Sequence, residues 1–286
     1  MKAPSLILEK LFLMKSFHSI SPINHCYQTY GSKPIRILCN DLENYVCKYY
    51  TGGSGPAHNL FNEVLAAAFL KIWNLPVPDF ATVTIQRKHI GNLGFPYHYF
   101  EAPCFGSRFM GDFKEVDKVF MGMPKSRFKN PDTAMGFIWI AMFDIWLCNE
   151  DRNHNNFNLL YDAEKNTFVP IDHVNIFNGL NIDKTPYLIS ENESILSSPL
   201  FPLFFFGTLQ PKQKHFRSNI EKTFKSHVKN CEKSLPQILH SLPDQWRLDL
   251  PFISERLAFF YSDEWLQKSL KHFFELFYQH YKRIKL

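Results

Sequence analysis

The sequence offers no pair of cysteines at zinc-site spacing. Cys26, Cys39, Cys47, Cys104, Cys148 and Cys231 are scattered, mostly within apolar runs, and read as buried thiols of a reducing compartment. No apolar run is long enough to cross a bilayer. The longest, Ala134 to Cys148, falls short and carries Asp144. The opening stretch MKAPSLILEKLFLMKS is interrupted by Glu9, Lys10 and Lys15, and no small-residue cleavage site follows, so it does not read as a signal peptide. The Gly-Lys-Ser/Thr ending of a P-loop is missing, as are internal repeats and low-complexity tracts. Together these absences predict a cytoplasmic protein without a membrane partner.

What is present is a core. Hydrophobic residues make up 45% of 286 residues and Phe occurs 29 times, which excludes disorder and allows one large or two smaller domains. The formal charge of +5 is modest and uneven. Between Pro211 and Lys233, seven Lys or Arg face only Glu221 and Glu232. On a helix this is a solvated face, with a docking surface for an acidic partner or RNA as the alternative.

The chain is organised around Asn149 to Phe177. Phe157 to Tyr161 and Phe168 to Ile171 are short runs of strand formers separated by the polar turn Asp162 to Asn166, which predicts a hairpin. A turn centred on Glu164 would set Asn156 opposite Asp172 and bring an amide and a carboxylate oxygen together. Hard divalent cations such as Mg²⁺ take a few such oxygens and keep water and phosphate for the rest. Asp151 precedes Asn156 in a polar loop, where its carboxylate could accept a proton from an attacking hydroxyl. His154 and His173 have no partner at metal-ligand spacing.

Upstream, Pro34 to Leu38 and Tyr45 to Tyr50 read as strands, and alternation puts Val46, Lys48 and Tyr50 on one face. An Ala-rich amphipathic helix follows from Leu60, with Glu63 in its first turns, where it could pair with Lys48 or complement the helix dipole. Gly52 to Gly55 reads as a flexible connector. Residues 1–22 predict a short helix and a loose connection ahead of the first strand. Ala81 to Gln86 predicts another strand, and a Gly- and aromatic-rich hairpin then leads to Ala102 through Phe109, expected as an edge strand. Helices are expected over Asp132 to Cys148, from Pro211, and continuously from Phe252 to Tyr281. Pro199 to Gly207, PLFPLFFFG, reads as core, with an exposed docking patch as the lesser alternative.

The order of these features, Asp151-x-x-x-x-Asn156, a hairpin, Asp172, and upstream a strand lysine and a helix glutamate, resembles the HipA-type serine/threonine kinases of bacterial toxin–antitoxin systems. More distantly it is similar to lipid kinases and aminoglycoside phosphotransferases. The resemblance covers about Tyr30 to Phe177. It implies an α+β, two-lobed protein-kinase-like fold, with a 1–22 segment, a small β-rich nucleotide-binding lobe over 23–109 and a larger helical lobe over 110–286. No extra amino-terminal domain is expected, as in the shorter HipA-type members. ATP and Mg²⁺ are the implied cofactors. Asp151 and Asn156 would be catalytic, Asn156 and Asp172 would hold the metal, and Gly31, Ser32, Lys33, Val46, Lys48 and Glu63 would bind the nucleotide. The 102–109 stretch would run into the hinge, and Leu180 to Ser198 stands in the place of an activation segment. Ser19, Ser21 and Ser32 are implied autophosphorylation candidates.

Departures are equally plain. Asn149 stands where eukaryotic protein kinases carry His, His173-Val174 replaces Phe-Gly after the metal aspartate, and no Ala-Pro-Glu occurs. These argue against the eukaryotic branch. The implied partners are a protein substrate, plausibly of the translation machinery, and an antitoxin, without direct nucleic-acid binding. A small-molecule, aminoglycoside-type phosphotransferase and an inactive kinase-fold binding module are the alternatives.

Overall fold

The computed structural model describes residues 14–29, 33–91, 94–117, 120–122, 129–180, 182–204 and 215–283. Two compact units form. One comprises residues up to Phe69, Pro78–Gly111 and Lys233–Phe252, and the other Leu70–Val77, Asp112–Glu232 and Ile253 onward.

Period-two alternation builds the sheet of the first unit. Its strands are β1 (Lys15–His18), β2 (His25–Cys26), β3 (Ile35–Leu38), β4 (Asn44–Lys48), β5 (Phe80–Thr84) and β6 (Cys104–Arg108), in the order β1-β5-β6-β4-β3-β2. Ile35 and Ile37 of β3, Tyr45 and Cys47 of β4 with Tyr49 beyond it, Ala81 and Val83 of β5 and Cys104 of β6 share one buried cluster. Among the described strands only β1 and β5 pair in parallel. Helix α1 (His58–Ile72) is apolar almost all round, and Leu60, Phe61, Val64, Leu65, Ala67 and Ala68 are buried. Left-handed Asn74 ends it, with Leu75 N–H donating to Leu70 O at 2.9 Å, a Schellman-type closure.

Three expectations for this unit are corrected. Lys15–His18 is a strand rather than part of a helix, because Phe17 packs on the core and β5 supplies a free edge for its main chain. Cys104–Arg108 lies between β5 and β4 rather than at an edge, as its buried Cys104, Phe105 and Gly106 require. The connection from β5 to β6 is not a hairpin. It holds a helical turn at Arg87–Ile90 and a 3₁₀ turn at Tyr97–Phe100.

In the second unit, α2 (Pro131–Trp146) is buried through most of its length. Asn130 caps it by accepting from Asp132 N–H at 2.9 Å, with Pro131 at the first helical position. Trp146 at its end donates from Nε1 to Phe260 O at 2.8 Å, and its own carbonyl accepts from Trp265 Nε1 at 3.0 Å. Those partners lie on α4 (Leu250–Tyr261) and α5 (Asp263–Arg283), which follow α3 (Phe216–His240). The continuous periodicity expected over 252–281 is broken at Ser262, whose hydroxyl accepts from Trp265 N–H at 3.2 Å and starts a new helix.

The residues from Ile182 to Phe204 form short 3₁₀ turns fastened to the carboxy-terminal helices. Glu191 accepts from Gln279 Nε2 at 2.8 Å and Arg283 NH1 at 2.6 Å, and His272 Nε2 meets Ile189 O at 2.7 Å. The Arg283 bond holds the Glu191 carboxyl below its usual pKa. Leu200, Phe201 and Phe204 are buried core, while residues 205–207 lie outside the described ones. No helix among the described residues is long and apolar enough to cross a membrane.

A second sheet joins β7 (Lys114–Glu115), β8 (Leu159–Asp162) and β9 (Thr167–Pro170). The β8–β9 hairpin is present with its register one residue from expectation: Asp162 pairs with Thr167 and Leu159 with Pro170. Asp162 Oδ1 accepts from Glu164 and Lys165 N–H at 3.0 Å, and Asn166 is left-handed, so four residues close the turn. Asn156 therefore does not sit opposite Asp172.

One glycine in the first sheet is dictated by its neighbours. A Cβ on Gly106 would lie 2.5 Å from Cγ2 of buried Val83 and 3.4 Å from Tyr45 Cδ1. Gly106→Ala is expected to lower stability by about 1–3 kcal/mol, read as a fall in the urea midpoint. An unchanged midpoint would show that the sheet yields there freely.

Candidate active site

Each unit carries its own set of candidate groups. In the first, β4 turns Tyr45 and Cys47 into the core, so Val46 and Lys48 take the opposite face, with Val46 half-buried. Lys48 Nζ donates to Glu63 Oε1 of α1 at 2.5 Å, and the two side chains are only 11% and 4% exposed. Burial of both charges is tolerable because they are paired. Lys33 is exposed, and its carbonyl accepts from Tyr49 Oη at 3.0 Å. Gly31 and Ser32 lie outside the described residues.

In the second unit the loop after α2 is built on one buried guanidinium. Arg152 is fully buried, and its Nε donates to Asp144 Oδ2 at 3.0 Å. NH1 reaches the carbonyls of Phe157, Asn158 and Ile171, and NH2 lies 2.8 Å from His173 Nε2. Asp144 also accepts from Asn149 Nδ2 at 2.8 Å. Burial pushes the Asp144 carboxyl above its usual pKa, against the pull of Arg152 and Asn149. The departures at Asn149 and His173 thus belong to one network: each contacts the buried pair that holds the loop.

Asp151 adjoins this network through Asn158. Its Oδ1 accepts from Asn156 Nδ2 at 3.0 Å and its Oδ2 from Asn158 Nδ2 at 3.2 Å, so two amides fix the carboxylate. Donation by Asn156 Nδ2 leaves its amide oxygen as the outward group. Asp172 follows β9 with φ at 57°, left-handed, where Asp is among the tolerated residues. Ile171 N–H still bonds Asn158 O at 2.9 Å, so the ribbon holds up to the residue before it. The structure brings Asp151 and Asn156 together, and Asn156 and Asp172 stand at the same end of the ribbon without direct cross-strand pairing. Their donors are oxygens, suited to a hard cation that keeps water and phosphate ligands. Among the described residues no cluster of three or more His, Cys, Asp or Glu forms an all-protein metal site.

Sequence reasoning gave no role to Asp144, Asn158 or Arg152. The available signal was Asp144 itself, a carboxylate inside an otherwise apolar helix, which demands a buried partner. The serine expectation is corrected at one position. Ser19 is fully buried, with its hydroxyl 2.8 Å from His89 Nδ1 and accepting from Gln86 N–H at 2.8 Å, so it is no phosphoacceptor in the folded chain. Ser21 is partly exposed, and Ser32 lies outside the described residues.

An α+β chain with a strand lysine on a helix glutamate, and an Asp/Asn loop leading into a hairpin and a second Asp, has the organisation of a kinase-like phosphotransferase. Residues 23–185, more than half of the sequence, match the HipA-like kinase model, and the chain belongs to that family. It is therefore a kinase by family and has the kinase-like fold. No match is found among curated proteins. Among solved structures it is similar to the Helicobacter pylori proinflammatory kinase CtkA, with TM-score 0.49 and 12% identity, covering 92% of this chain and 99% of that one. It is also similar to a Golgi casein kinase with Mn/ADP bound, with TM-score 0.44 and 15% identity, covering 96% and 76%. Similarity at this level says nothing about substrate or cofactor.

Arg152→Ala would strand the Asp144 carboxylate and free three carbonyls. A loss of about 3–5 kcal/mol is expected in equilibrium unfolding. Arg152→Lys keeps the charge but loses the planar fork, and should recover only part of it. Full recovery by lysine would show that charge alone holds the loop.

Proposed function

We propose that this protein transfers the γ-phosphate of ATP, with Mg²⁺, to a serine or threonine hydroxyl of a protein. The observation that carries the reading is the buried Lys48–Glu63 pair at 2.5 Å. A lysine on a solvent face would be left in water. This one is aimed by a helix carboxylate, the arrangement that productive nucleotide phosphate binding requires. Val46 would flank the adenine, and Gly31, Ser32 and Lys33 would belong to the loop over the phosphates.

Asp151, fixed by Asn156 and Asn158, would orient the acceptor hydroxyl and take its proton as the oxygen bonds to the γ-phosphorus and the bond to ADP breaks. Asn156 and Asp172 would hold Mg²⁺, which neutralises phosphate charge when bound. A protein acceptor is favoured by α3, where Lys222, Lys225 and Lys229 are exposed and Lys225 pairs with Glu221 one turn earlier. Such a face suits an acidic surface of a partner. The toxin-type role, a target in the translation machinery and an antitoxin partner are part of the same proposal and rest on the resemblance of the Asp151, Asn156 and Asp172 arrangement to HipA-type kinases.

Asp172→Asn is expected to weaken Mg²⁺-dependent nucleotide binding in calorimetry. Asp151→Asn should spare binding and lower transfer by roughly 10²-fold or more. Labelled ATP in a cell lysate should mark a discrete protein band that disappears with Asp151→Asn. Label confined to small molecules would move the acceptor to the small-molecule class, and nucleotide binding indifferent to Mg²⁺ and to both substitutions would defeat the phosphotransfer reading.

A further inference from the structure

Tyr187 is 56% exposed, an uncommon fate for a large aromatic ring, yet its backbone is held from both sides. Its N–H donates to Asn178 Oδ1 at 3.0 Å, and its carbonyl accepts from Asn178 Nδ2 at 3.1 Å. Asn178 is itself buried, and it lies in a run of three left-handed residues, Phe177 to Gly179. The N–H of Asn178 bonds Cys148 O at 3.0 Å, so the clamp is fastened to the chain entering the Asp151 loop. Backbone in this region is costly for residues other than glycine and persists where the surroundings impose it, often at functional sites.

The phenol is aimed as well. Tyr187 Oη donates to Glu150 Oε2 at 3.2 Å, and Glu150 immediately precedes Asp151. Gly179 makes room for that carboxylate, since a Cβ there would lie 3.0 Å from Glu150 Oε1. The Glu150 charge first, then desolvation, and Glu193 to a lesser degree, hold the Tyr187 phenol above its usual pKa.

We propose that Tyr187 and Glu150 form the acceptor-binding platform of this kinase and hold a cationic group beside the hydroxyl that is phosphorylated. An exposed ring with a carboxylate at its edge offers a cation both a π face and an ion pair, a combination that apolar or anionic neighbours of the hydroxyl could not use. The inference rests on the phosphotransfer reading and deepens it on the acceptor side. Tyr187 positions the acceptor and takes no part in the transfer itself.

The test maps phosphorylated serines and threonines after incubating the intact protein, MgATP and a cell lysate, and then measures rates on peptides spanning the mapped sites. Lysine or arginine is expected to be enriched within a few residues of the phosphorylated hydroxyl. Tyr187→Ala should raise the KM for such peptides roughly threefold to tenfold, with the loss falling on KM rather than kcat. Tyr187→Phe should recover most of it, and Glu150→Gln should weaken the preference for basic neighbours. Circular dichroism of each variant confirms folding, and the exposed position of Tyr187 makes it a safe substitution. Mapped sites without basic enrichment, or an acceptor KM unmoved by Tyr187→Ala, would overturn the platform. Absence of any transfer by the unaltered protein would instead overturn the phosphotransfer reading and this inference with it.

Discussion

The bond between Asp144 and Arg152 is what the second unit is arranged around. Both side chains are almost wholly out of water, at 1% and 0% exposure. Neither charge could stay there alone. Helix α2 supplies the carboxylate from inside its apolar length, and the guanidinium spreads its remaining donors over carbonyls on both sides of the hairpin base. One side chain thereby sets the relative positions of the loop bearing Asp151, the start of β8 and the exit of β9. The same design explains why Asn149 and His173 serve where other kinases carry different residues, since both are polar partners of this pair.

In the first unit the corresponding constraint is alternation. Tyr45 and Cys47 of β4 commit one face to the core, so Lys48 must leave on the other, towards α1. The helix is buried on nearly every side, which fixes its rotation and with it the direction of Glu63. The ion pair is thus a product of packing, and its contribution is direction more than stability.

Much of this could be read from residues. The 157–171 hairpin, the buried α2, the strand bearing Lys48 and the helix bearing Glu63 follow from apolar periodicity, which reports the face that is buried. What escaped depended on single hydrogen bonds or on distant partners. The hairpin register turned on the Asp162 side chain and left-handed Asn166, which no periodicity encodes. The strand at Lys15–His18 exists because β5 offers an edge, and β5 lies far along the chain. The helix break at Ser262 was a capping event within an unbroken apolar pattern. Asp144 was visible as an oddity, but its partner across the loop was not.

The fastening of the segment around Glu191 to α5 has a consequence for the order of synthesis. The Glu191–Arg283 and Ile189–His272 contacts join residues separated by 92 and 83 positions. Chains emerge from the amino terminus and gain such distant contacts last. While the ribosome is still working on α5, the stretch beside the Asp151 loop lacks these two contacts. A nascent chain therefore carries the Asp151 loop well before the segment flanking it can be fastened to α5.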